Sequence, residues 1–147
     1  MNNNRGEGYA ARRRSCVRYL CAIVVGNIGW ETIQLPLYTL WESGTQSYLT
    51  FVVLHCSAGD LIIATVAFIV AGALAGRGWP SRNYNLVAIL SVVMGLMYTV
   101  FSEWLNISVR GSWAYTEMMP VIPILGTGLS PVLQWIIVPV ASFAWAR

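Results

Sequence analysis

Four long apolar stretches separated by short polar turns set the pattern of this chain. They run at about 17–41, 48–76, 83–106 and 127–146. A helix rises about 1.5 Å per residue, so roughly 20 apolar residues cross the hydrocarbon core of a bilayer. The predicted fold is therefore an all-α integral membrane protein with four transmembrane helices. A basic segment, 1–16, precedes the first helix and is expected to be a flexible tail. Residues 17–147 then form one transmembrane domain.

The apolar runs are not clean. In the first, Asn27, Glu31 and Gln34 follow at i, i+4 and i+7 and share one helix face. Such a stripe must turn from lipid towards other helices. Pro36 lies further along and is expected to kink the same helix. The second run holds His55, which is the single histidine of the chain, and Asp60. These two are five residues apart, about 140° around a helix wheel rather than a 360° cycle that would align them. Gly72 and Gly76 near its end form a G-x-x-x-G pair with Ala71 and Ala75 beside it, a small face that lets helices approach closely. The third run ends in Glu103 and Asn106. The fourth carries Pro131, Gln134 and Pro139.

The connection 107–126 is too broken for a span and too apolar for a solvent loop. Pro120 and Pro123 interrupt it, while Trp113 and Tyr115 suit a membrane interface. It is expected to form a lid or a partly re-entrant segment.

Composition agrees with the pattern. Of 147 residues, 56% are hydrophobic and 10% charged, against about 25% charged in soluble domains. The net charge of +3 does not point to nucleic acid, because the basic residues are unevenly spread. There is no lysine, and Arg5, Arg12, Arg13, Arg14 and Arg18 crowd the N-terminus. That cluster suits anionic lipid and sets topology. With both termini cytoplasmic, eight arginines lie inside and Arg110 alone outside. The expected location is a bacterial inner membrane. No signal-peptide pattern stands at the start. Cys16, Cys21 and Cys56 show no zinc or disulfide spacing.

This topology places Glu31, His55, Asp60 and Glu103 from mid-depth outwards, beneath the expected lid. An ionisable group at membrane depth costs roughly 2.5–3.5 kcal/mol and is a candidate for function. The four are candidate acid/base groups or ligands of a divalent metal such as zinc, manganese or non-haem iron. Each also has a plainer reading. His55 can be a packing residue, Glu103 can mark the watery end of its helix, and Glu31 and Asp60 can be polar glue between helices. The string HCSAGD matches no hydrolase elbow, and no C-x-x-C-H haem motif occurs.

Glu103 to Tyr115 reads E-x-L-x5-G-x-W-x-Y and resembles, over thirteen residues, a pattern in integral-membrane carotenoid cyclases and hydratases. Those proteins have more spans and further acidic motifs, so no activity or residue role is carried over. Three function classes stand: an intramembrane enzyme acting on a lipid-like substrate, a small dimeric proton-coupled transporter, or an accessory subunit or assembly factor of a larger membrane complex. A homo-oligomer or such a complex is the protein partner they imply.

Overall fold

The computed structural model describes residues 3–76, 79 and 82–147. The basic loop expected at 77–82 lies mostly outside them. Helix α1 spans Asn3–Gln34, followed by a 3-10 turn at Leu35–Leu37 and a short helix α2 at Leu40–Ser43. Helix α3 covers Gln46–Ala75 and α4 covers Tyr84–Trp104. A π-helical turn, Leu105–Val109, extends α4, and α5 closes the fold at Leu129–Ala146. Among the described residues, four helices are long and apolar enough to cross a membrane. The protein is thus an all-α, four-helix membrane protein.

Three predicted spans agree with the observed helices to within two or three residues. The first differs at both ends. Helix α1 starts at Asn3 and so runs through most of the segment expected to form a flexible tail. Ala10, Ala11 and the arginines favour a helix, and no proline stops it. At 32 residues it is about 48 Å long against an apolar slab of about 30 Å, so its basic start projects beyond the slab. At its other end the helix stops at Gln34 rather than bending through to 41. Pro36 has no N–H to offer and ends the helix.

The freed backbone after Pro36 finds partners in the long connection. Thr39 N–H donates to the Ala114 carbonyl at 3.0 Å, and Thr116 N–H to the Leu37 carbonyl at 3.0 Å. Tyr38 and Tyr115 therefore face each other in a short antiparallel pairing. The expected lid is tied at its middle to the end of α1. It folds back on itself where Ile122 N–H meets the Thr127 carbonyl at 2.9 Å.

The other boundaries have local causes. The Thr45 side chain accepts the Tyr48 N–H at 3.3 Å and caps α3. Gly76, at φ +81°, lets the chain leave α3 in a conformation other residues avoid. Asn83 starts α4 and returns its side-chain amide to the Ala75 carbonyl at 2.8 Å, joining the two helix ends.

The helices form a closed ring. Helix α1 packs on α5 and α3, and α4 packs on α3 and α5. Arg12 on α1 and the end of α5 lie at one end of this ring. There Arg12 donates to the Trp79 carbonyl at 2.6 and 3.0 Å, and Tyr84 hydroxyl donates to the Phe143 carbonyl at 2.5 Å. The Arg147 guanidinium sits 5.6 Å above the Tyr84 ring. Tyr19, Phe68 and Phe143 stack beneath them. The paired connection and the polar groups described next occupy the opposite end.

Candidate functional site

The stripe on α1 turns inward. Asn27 and Gln34 are buried and Glu31 is half-buried. They meet Gln134 of α5, which is 2% exposed. The Gln134 amide nitrogen lies 3.0 Å from each of three acceptors: Asn27 Oδ1, Glu31 Oε1 and Asp60 Oδ2. Gln34 donates to Glu31 at 2.9 Å and to Gln134 Oε1 at 3.2 Å. This second bond is consistent with a Gln134 amide whose nitrogen faces the three oxygens. Ser130 donates to Gln34 at 2.8 Å, and the Trp30 indole donates to Ser130 at 3.1 Å. Glu31 and Asp60 lie close to each other around Gln134, and Trp135 lies close to Asp60.

Glu103 forms the second part of the site. It is 7% exposed. The Tyr115 hydroxyl donates to it, and Tyr38 lies at the long limit of 3.5 Å. Tyr115 also accepts the Gly128 N–H at 2.7 Å. One phenol thus ties the connection to α4 and to the start of α5. Burial pushes both phenols well above the ordinary tyrosine range, and the Glu103 charge beside them adds to this. Both remain protonated donors at neutral pH. The π-helical turn begins two residues beyond Glu103; such turns widen a helix and recur at functional sites.

Glu31, Asp60 and Glu103 all line one cavity of about 320 Å³, at the small end of the ligand-site range. Its wall is completed by apolar residues such as Leu35, Val52, Ile63 and Trp135. His55 also lines it but differs in kind. It is exposed and stacks on Phe51 at 5.5 Å between ring centroids. Tyr98 of α4 is likewise exposed and lines the cavity. The two residues form part of its exposed edge, one on α3 and one on α4. Arg110 is exposed on the rim.

The four residues singled out in the sequence therefore sit on one cavity, three within it and His55 at its exposed edge. As metal ligands they do not converge: among the described residues, no three His, Cys, Asp or Glu side chains are grouped to hold an ion. The sequence marked Gln134 only as a polar residue in its span, and gave no sign that Tyr38, Tyr115 and Trp135 belong to the site. A polar side chain in every one of the four spans was the available signal. Which of them meet is a matter of helix pairing, which a single sequence does not display.

Comparison with described protein families, with curated proteins and with solved structures finds no match to this chain.

Proposed function

We propose that the cavity is an intramembrane acid–base site acting on a lipid-like substrate, in a protein of the bacterial inner membrane with both termini cytoplasmic. The observation that carries the reading is the meeting of Glu31, Asp60 and Glu103, from three helices, on one partly apolar cavity. The hydrogen-bond donors named around them are neutral: Gln34, Gln134, Tyr38 and Tyr115. Carboxyls held this way keep their capacity to exchange a proton with something in the cavity.

The Gln134 amide has two hydrogens and three oxygens within reach. Gln34 serves the third by donating to Glu31 at 2.9 Å, so neutral donors alone satisfy the cluster. Protons, rather than a divalent metal, are the better match to this side-chain set.

The test is a comparison of membrane lipid extracts by mass spectrometry. Cells lacking the protein are set beside cells carrying wild type, Glu31→Gln, Asp60→Asn or Glu103→Gln, with protein abundance measured in the same membranes. The expected result is a shift in one lipid class on deletion, reproduced by the three variants at near wild-type abundance. Variants that disappear from the membrane in step with the lipid change would reduce the cluster to helix glue. Lipid profiles unchanged in all three variants would sink the acid–base reading.

A further inference from the structure

The cavity wall carries hydrogen-bond donors that no protein group uses. Thr99 of α4 is 6% exposed, lines the cavity, and its hydroxyl has no partner among the described residues. Several hydroxyls in these spans fold back on their own helix. Thr65 and Ser142 bond the carbonyl four residues earlier at 2.7 Å, and Ser91 does so at 2.8 Å. Thr99 departs from that habit. The Trp113 indole nitrogen, carried into the same wall by the connection, approaches Glu103 but falls short of hydrogen-bond geometry and has no partner either. A buried donor without an acceptor is costly, so two on one wall call for an acceptor inside the cavity.

The rest of the lining limits what brings that acceptor. Three carboxyls on the wall disfavour an anion. The apolar wall suits a hydrocarbon body, and the exposed lining residues His55 and Tyr98 both belong to membrane-spanning helices, so that edge of the cavity faces the apolar phase. We infer that the cavity takes up, laterally from the bilayer between α3 and α4, an uncharged and mainly apolar molecule whose hydroxyl or carbonyl oxygen is bound by Thr99 and Trp113. This deepens the acid–base reading by giving it a substrate class, and it rests on that reading only for the chemistry that follows binding. A hydroxyl held there is also within the compartment of Glu103, which can accept its proton.

The experiment uses the full-length protein in lipid nanodiscs with two photoreactive probes of the same chain length, a long-chain alcohol and a long-chain sulfonate. After illumination, labelled peptides are mapped by mass spectrometry. The alcohol should label the segments around 55–63 and 98–103 several-fold more than the sulfonate. Thr99→Val combined with Trp113→Phe should remove most of that excess, whereas Thr99→Ser, which keeps the donor, should retain it. Labelling of the outward apolar groove between α1 and α5, near Cys21 and Trp145, should be the same for all proteins. Equal labelling of the cavity by both probes in wild type overturns the inference, and this comparison needs no variant to fold. Undiminished alcohol labelling in the double variant also overturns it. Selective labelling with unchanged lipid profiles in the carboxyl variants would leave the binding site standing and remove the acid–base reading. The reverse pattern would remove the substrate class alone.

Discussion

Gly95 of α4 stands directly against the indole of Trp135 on α5: a methyl group on Gly95 would lie 2.1 Å from the ring. No side chain fits there without displacing the indole. Trp135 is 4% exposed, lines the cavity and lies close to Asp60. The absence of one carbon thus sets the spacing of α4 and α5 and the position of a cavity wall.

Gly95→Ala should therefore destabilise the protein by about 1–3 kcal/mol, the usual cost of overpacking a close contact. The readout is the midpoint of thermal unfolding in detergent. Gly72→Ala is the contrast, since a methyl there meets nothing within 4 Å. It should leave the midpoint unchanged or slightly raised, as alanine favours a helix. Equal effects at the two positions would contradict the packing described.

These glycines show where the sequence was readable and where it was not. The spans were legible because apolar length is a property of each segment alone. The carboxyls stood out because charge at depth has few innocent explanations. The G-x-x-x-G pair at Gly72 and Gly76 read as a small face that lets helices approach closely, yet Ala71 is the buried member of that stretch and Gly72 faces open space. Among the described helical glycines, the close approaches are instead Gly95 on Trp135 and Gly26 on Val138. Each depends on which helix lies opposite, and that information belongs to pairs of segments. Gln134 escaped notice as the hub for the same reason. Pro36 was read correctly as a disturbance, but whether it bends or ends a helix was decided by the partners that Ala114 and Thr116 offered beyond it.

The connection should depend on Tyr115. Its hydroxyl donates to Glu103 and accepts from Gly128, so Tyr115→Phe leaves a buried acceptor and a buried N–H unserved. The expected loss is about 1–3 kcal/mol, felt first in the connection itself. In a background with Cys16, Cys21 and Cys56 replaced, Met119→Cys should react slowly with a water-soluble maleimide, because Met119 is 4% exposed. Glu117→Cys, on an exposed position, should react quickly. Adding Tyr115→Phe should accelerate Met119→Cys towards the Glu117→Cys rate. Rapid labelling of both sites in the otherwise wild-type connection would show that it covers nothing.

Orientation follows from charge. Arg12 and Arg147 lie at one end of the ring, with Arg110 at the other, on the cavity rim. Positive charge is retained on the cytoplasmic side during insertion. Reporter fusions after Arg82 and Arg147 should both report cytoplasm, and an insertion beside Arg110 should report the opposite side. A cytoplasmic signal at Arg110 would invert the protein and place the cavity in the inner leaflet.

Gln134 and Asp60 offer the sharpest test of the polar hub. Gln134→Leu removes the donor shared by Asn27, Glu31 and Asp60 while keeping a similar volume. With two amide hydrogens lost, about 2–6 kcal/mol of stability should go, at roughly 1–3 kcal/mol for each acceptor left unserved. Asp60→Leu should cost less, since Asn27 and Glu31 remain to accept both Gln134 hydrogens. The two changes together should cost less than their sum, because Asp60→Leu removes an acceptor that Gln134→Leu leaves unserved, and apolar groups of matching shape can replace a buried polar pair at little cost. A double-mutant cycle on thermal or denaturant unfolding in detergent measures the difference, and residues in direct contact typically couple by about 0.5–3 kcal/mol. Strict additivity would mean that the 3.0 Å contact between Gln134 and Asp60 carries no energy, and the hub would have to be redrawn around Glu31 and Gln34 alone.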